Sequence, residues 1–391
     1  MNNFHPIKVP NFVPSAQVSD LVNNEMYDDS FFHPNLGGVT KGGMSNHYPM
    51  TMMSLAGLGA SDTEIKRFSQ AWPRYRTDIE TQLHLVDSQE VTLQNWQEYL
   101  GQPKRLLEFR RVFGQAVLKL GVTAFVSEAL DTLKLGLPMG LFHPLIQLSF
   151  AVIHADTQLI ANALAYFAIR YENLYGQYPQ LLLSNTEIPA GTQWANVSRG
   201  KPLKVSFNPV GGSLNICEQL CGESQIQQLA FNSGFVINRQ NLVEKITQIS
   251  QMAIKLYLSQ PALTTLHAVT SCQALADLTL RLGGDNSQSE IYVKLWSLYW
   301  IWLTGLYIEK GATNALPSVK LGNKGFDSWE IMAEKARNIQ EVHLIKMVYS
   351  CKWLYENIDD NELYRLACMN ILVEKNAHPR EIRWSELEPL E

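Results

Sequence analysis

In the stretch Glu341-Val-His-Leu-Ile-Lys346-Met-Val-Tyr349, a histidine and a lysine stand three residues apart and most neighbours are apolar. That spacing puts His343 and Lys346 on one helix face, beside Met347 and Ser350. A buried lysine needs a partner. In one reading the chain snorkels and its amine reaches solvent or a carboxylate such as Glu341. In the other the amine is neutral, takes up CO₂ as a carbamate and offers a metal ion an oxygen donor alongside His343.

Three further histidines lie in apolar helical surroundings: His47 in Asn46-His-Tyr-Pro-Met50, His143 in Leu141-Phe-His-Pro-Leu-Ile146, and His267 in Thr265-Leu-His-Ala-Val-Thr-Ser271. Each has an ordinary alternative. His267 suits a core ring bonded to a backbone carbonyl, while His143 and His47 suit helix starts ahead of a proline, where capping competes with ligation. Core-facing imidazoles nevertheless need partners, and one metal ion satisfies several at once. A buried metal site built from His47, His143, His267, His343 and Lys346 is therefore expected.

His154, eleven residues after His143 and near Asp156, is a candidate for support of that site or for an ordinary buried hydrogen bond. Trp296 and Trp300 share a helix face and are candidates to wall a pocket for a flat apolar substrate. His5, His33, His84 and His378 lie in weaker contexts. Five cysteines without a CxxC pair read as reduced thiols, and the Cys217 to Cys221 spacing lacks a second ligand pair nearby. The chain has no P-loop, dinucleotide fingerprint, nucleophile elbow or HExxH, and no repeated Glu-x-x-His of a di-iron bundle.

Apolar residues recur at spacings of three and four, so the expected fold is all-α. Residues 1–45 read as an extended arm. Helices are expected over Tyr48 to Ala60, from the Ser61-Asp-Thr-Glu64 capping box to near Pro73, over Leu106 to Leu120 and over Val122 to Leu135. One long helix is expected from His143 to Tyr175. Residues 176–235, with four prolines and Gly211-Gly212, read as a loop-rich insertion within a single domain spanning 1–391. Helices are expected again over Leu242 to Leu258, Pro261 to Leu282, Ser289 to Lys310, Ser328 to Glu356 and Glu362 to Val373.

The 391 residues are 46% apolar, enough for a substantial core, and the net charge is −5. Without a Lys/Arg-rich run, nucleic acid and anionic membrane surfaces are not expected partners. The most apolar run, Leu295 to Ile308, is too short to span a bilayer. The N-terminus lacks the basic-then-apolar pattern of a signal peptide, so a cytoplasmic location is expected.

As a set, Asn46-His47 with Ser54-Leu-Ala-Gly-Leu-Gly-Ala60, His143-Pro-Leu-Ile146, His267-Ala-Val-Thr270 and His343-Leu-Ile-Lys346 resembles the questin oxidase-like family, in order, from about residue 46 to 370. The resemblance implies an all-α fold and oxygenase activity on anthraquinone-type molecules. It also implies a mononuclear non-haem iron centre made from His47, His143, His267, His343 and a modified Lys346. Two positions depart from the family pattern. Gln147 stands where the family often has a histidine four residues after His143, and Gln273 replaces another six residues after His267. The implied function is an Fe(II)-dependent oxygenase acting with O₂ on a small aromatic or polyketide-like substrate. Nothing in the sequence indicates a site for NADPH as reductant. A metal-dependent hydrolase at the same ligands and a catalytically silent helical binding protein are the alternatives.

Overall fold

A computed structural model describes residues 16–36, 45–72, 77–79, 89–175, 188–199, 235–284, 286–312 and 325–373. Among them are fourteen α-helices and no strand beyond two isolated bridges, so the fold is all-α as expected. The N-terminal half contains α1 (Ala16–Asp29), α2 (Tyr48–Gly57), α3 (Asp62–Ala71), α4 (Leu106–Leu120), α5 (Val122–Leu133), α6 (His143–His154) and α7 (Thr157–Arg170). The remainder comprises α8 (Ala190–Arg199), α9 (Leu242–Ser259), α10 (Leu263–Leu282), α11 (Asn286–Glu309), α12 (Trp329–Arg337), α13 (Val342–Asn357) and α14 (Leu363–Val373). No helix among the described residues is long and apolar enough to cross a membrane.

Three expectations are corrected. The proposed extended arm contains α1. Its composition is polar, but Val22 and Met26 stand one turn apart and bury against the body, and that narrow stripe is enough to dock a helix. The single helix expected from His143 is two helices. Ala155 turns left-handed at φ 58° and Asp156 caps α7 by accepting from the Leu159 N–H at 2.8 Å. The helix expected from Ser328 also divides, because Asn338 closes α12 and Glu341 opens α13 with a side-chain cap. Most of the predicted insertion lies outside the described residues. The part described forms α8, whose Trp194 is buried and stacks on Trp300 and Tyr307.

The central element is α10. Seventeen of its residues are buried, and it packs on α6, α9, α11 and α13, while α2 lies against α13, α6 and α1. These contacts bring α2, α6, α10 and α13 around one region. The expected capping box at Ser61 and Glu64 is formed.

Because Asp156 supplies the only side-chain cap seen at the start of α7, Asp156→Ala should destabilise the fold by about 1 kcal/mol. Thermal or denaturant unfolding checks this, with Asp156→Asn expected to keep most of the wild-type stability, because its amide oxygen can accept the same hydrogen bond.

Candidate metal centre

All four histidines stand at or near the starts of their helices. His47 is the residue just before α2. Its neighbour Asn46 orders that entry by accepting from the Tyr48 N–H at 3.1 Å and donating to Asp29 at 2.7 Å. His143 opens α6 after three consecutive left-handed residues, Gly140, Leu141 and Phe142, with φ of 60°, 53° and 62°. Leu141 and Phe142 carry a Cβ, so this turn stores strain that the surrounding packing must hold. His343 follows the cap of α13, where Glu341 accepts from the backbone N–H groups of His343 at 3.0 Å and Leu344 at 2.6 Å. His267 sits one turn into α10.

The rings meet in the core. Ring centroids of His47 lie 4.5 Å from His143 and 4.6 Å from His343, and His267 lies 4.6 Å from His143 and 5.4 Å from His343. One nitrogen each from His47, His143 and His343 falls within a 4.8 Å group. Lys346 is 1% exposed and its Nζ is 2.7 Å from His47 Nδ1. The structure thus brings all five of these residues together.

Hydrogen bonding decides what the rings present. His143 Nδ1 faces the Gly140 carbonyl, and His267 Nδ1 lies 2.8 Å from the Leu263 carbonyl. A carbonyl only accepts, so both Nδ1 atoms carry the proton. In a neutral ring the opposite nitrogen is then a bare lone pair. Those two atoms, His143 Nε2 and His267 Nε2, are 3.1 Å apart. Burial holds both rings well below the usual histidine pKa. For His143, Lys346 is the next cause, and for His267 it is His143. His47 is lowered likewise, by burial first and then by Lys346. Neutral rings with facing lone pairs repel unless a cation lies between them. Two imidazole nitrogens bound to one ion at about 2.1 Å would be roughly 3.0–3.4 Å apart. The observed spacing fits a shared metal ion.

His343 Nδ1 is 2.9 Å from a Glu341 carboxylate oxygen. Burial alone would raise this carboxyl, but His343 and the two capping N–H groups outweigh it and hold the pKa at about 2. The side chain keeps 43% of its surface, so solvent screens much of the pairing. The partner of Glu341 is His343, whereas the snorkelling reading of the sequence had it reaching Lys346. Carboxylate-to-histidine support of this kind orients a metal-binding ring, and the signal for it was the Glu one residue ahead of an apolar helix.

Gln147 lies one turn after His143 and lines a small cavity with Asp29, Arg110 and Asn162. Gln273 accepts from Ser350 at 3.2 Å, and its buried Nε2 has no partner among the described residues. His154 ends α6, half-buried, with its pKa lowered by burial despite the nearby Asp156. Trp296 donates to Thr279 at 3.0 Å, whereas Trp300 packs on Trp194 and Phe235. Among the described residues, no hydrogen bond or ring contact joins His154, Trp296 or Trp300 to the four rings. His33, passed over in the sequence, is buried, and desolvation lowers it to about 4. His5, His84, His378, Cys217 and Cys221 lie outside the described residues.

Further along α10, Asp277 is fully buried between Ser149, at 3.3 Å, and Arg281, at 2.9 Å. Burial outweighs the ion pair and raises the carboxyl to about 6 from 3.8. The folded chain therefore holds a proton that the unfolded chain releases. This makes stability fall as pH rises from about 4 to about 6 and level off above. The change in the wild-type-minus-Asp277→Asn stability difference across that window should be on the order of 3 kcal/mol. Denaturant midpoints of both proteins between pH 3.5 and 7.5 check it, and a constant difference would contradict it.

A search of curated proteins finds no match. Residues 44–351 match the family described as Questin oxidase-like, a span that contains every one of the five clustered residues. The chain belongs to the questin oxidase-like family.

Proposed function

We propose that this protein is a mononuclear non-haem iron oxygenase that acts with O₂ on a small aromatic or polyketide-like molecule. Family membership points to oxygenase-type chemistry on a small-molecule substrate, and the buried cluster of His47, His143 and His343 could hold a metal. The observation that carries the metal reading is the pair of facing lone pairs on His143 and His267. In this reading His47, His143, His267 and His343 hold the ion, and residues 1–391 act as one helical domain.

Nitrogen-rich donors with an added hard oxygen suit iron that changes oxidation state. When bound, iron supplies the one-electron chemistry that lets O₂ react with an organic molecule. The protein's own groups do the rest. Glu341 fixes the His343 ring, the Gly140 and Leu263 carbonyls fix the tautomers of His143 and His267, and the apolar faces of α2, α6, α10 and α13 exclude water. Lys346 either donates to His47 Nδ1 or, as its carbamate, adds an oxygen donor. Any reductant such as NADPH acts from outside this cluster.

Protein purified without chelator should contain about one iron per chain by elemental analysis, and it should consume O₂ in the presence of substrate. Alanine at His143 or His343 should abolish stoichiometric iron. Glu341→Ala should weaken metal affinity by about 10- to 100-fold, with Glu341→Gln recovering part of the loss. Zinc in place of iron, without O₂ consumption, would support the hydrolase reading. A metal-free protein whose histidine variants change stability alone would make it a silent helical binding protein.

A further inference from the structure

Helices α1, α2, α4, α6 and α7 line a small, partly open pocket of about 20 Å³, which holds a single oxygen-sized group and leaves an attached ring at its mouth. Phe32 and Leu159 supply apolar wall, while Asp29, Arg110, Gln147 and Asn162 supply polar wall. Arg110 donates to the Ser30 carbonyl at 2.6 Å, and Asn162 Oδ1 is occupied by Gln158 at 3.0 Å. Two donors remain. Arg110 Nε and Asn162 Nδ2 are buried with no hydrogen-bond partner among the described residues, and Asn162 is 3% exposed. Burial lowers Arg110 to about 10, against the opposing effect of Asp29, so it stays cationic at neutral pH.

Buried N–H donors without acceptors are costly, and two of them on one small cavity call for a shared acceptor. The Asp29 carboxylate on the same wall, and the apolar side chains beside it, disfavour an anion. A neutral oxygen fits both conditions. The cavity also adjoins the histidine cluster. Gln147 is about 6 Å along α6 from His143, and Asn46, another wall residue, immediately precedes His47.

We propose that this cavity is a subsite for a neutral carbonyl oxygen of the substrate, with Arg110 Nε–H and Asn162 Nδ2–H as its two donors. Its use in catalysis rests on the oxygenase reading above, but the binding itself does not.

The test is a ligand-observed NMR titration of the full chain after chelator treatment. Three probes of similar shape are compared: acetophenone (a neutral carbonyl), benzoate (an anion) and toluene (no acceptor). Acetophenone should bind saturably, and benzoate and toluene should bind at least about tenfold more weakly. Asn162→Leu, and the nearly isosteric Asn162→Asp in case the first fails to fold, should each weaken acetophenone by about tenfold. The proposal is overturned if acetophenone does not saturate, if toluene matches it, or if the folded Asn162 variants bind it as tightly as the wild type. Because the protein is metal-free in every arm, failure here leaves the iron reading standing, and a missing metal leaves this one standing.

Discussion

Two neutral imidazole nitrogens facing each other across 3.1 Å in a water-excluding core is the condition on which the rest of this structure depends. Lone pairs at that distance repel, and both rings are buried. The repulsion is tolerated because the rings are locked from behind. Each Nδ1–H is committed to a main-chain carbonyl of its own helix entry or first turn, so neither ring can rotate to exchange tautomers without losing a buried hydrogen bond. His343 is held in the same manner by a carboxylate, and His47 by Lys346.

That arrangement exists because four helices start around one region. Helix N-termini carry partial positive charge and unpaired N–H groups. Placing four of them together helps keep the imidazoles neutral, which is the state a metal ligand needs. It also creates a field that favours anionic donors over bare cations. The entry to each helix is correspondingly specialised. Three left-handed residues aim His143, an asparagine orders the start of α2, and Glu341 caps α13 while bonding His343. Strain is concentrated in the turn before His143, where the three left-handed residues stand.

Polar groups elsewhere in the core are informative where they carry charge or stand at positions that depart from the family pattern. Asp277 sits three helical turns beyond His267 on α10 and keeps its proton to about pH 6. Gln147 and Gln273, the two positions that depart from the family pattern, face a small polar cavity and Ser350. A glutamine in place of an imidazole keeps hydrogen-bonding capacity while withdrawing a nitrogen donor of the kind a metal ion favours.

Much of this was legible in the amino-acid sequence. Apolar spacing of three and four determined the all-α class, and the capping box at Ser61 was readable because its residues are local. The four histidines and Lys346 stood out because polar groups on apolar helices demand partners. Other features needed the tertiary structure. Where the helix after His143 breaks depends on a left-handed Ala155 that no local propensity announces. Whether His143 meets His267, 124 residues away, depends on how α6 packs on α10. The partner of Glu341 and the convergence of Arg110 with Asn162 are likewise long-range or geometric outcomes. Periodicity and capping are properties of neighbouring residues and are written in the chain. The direction in which a lone pair points is set by helices far apart in sequence, and only their packing decided it.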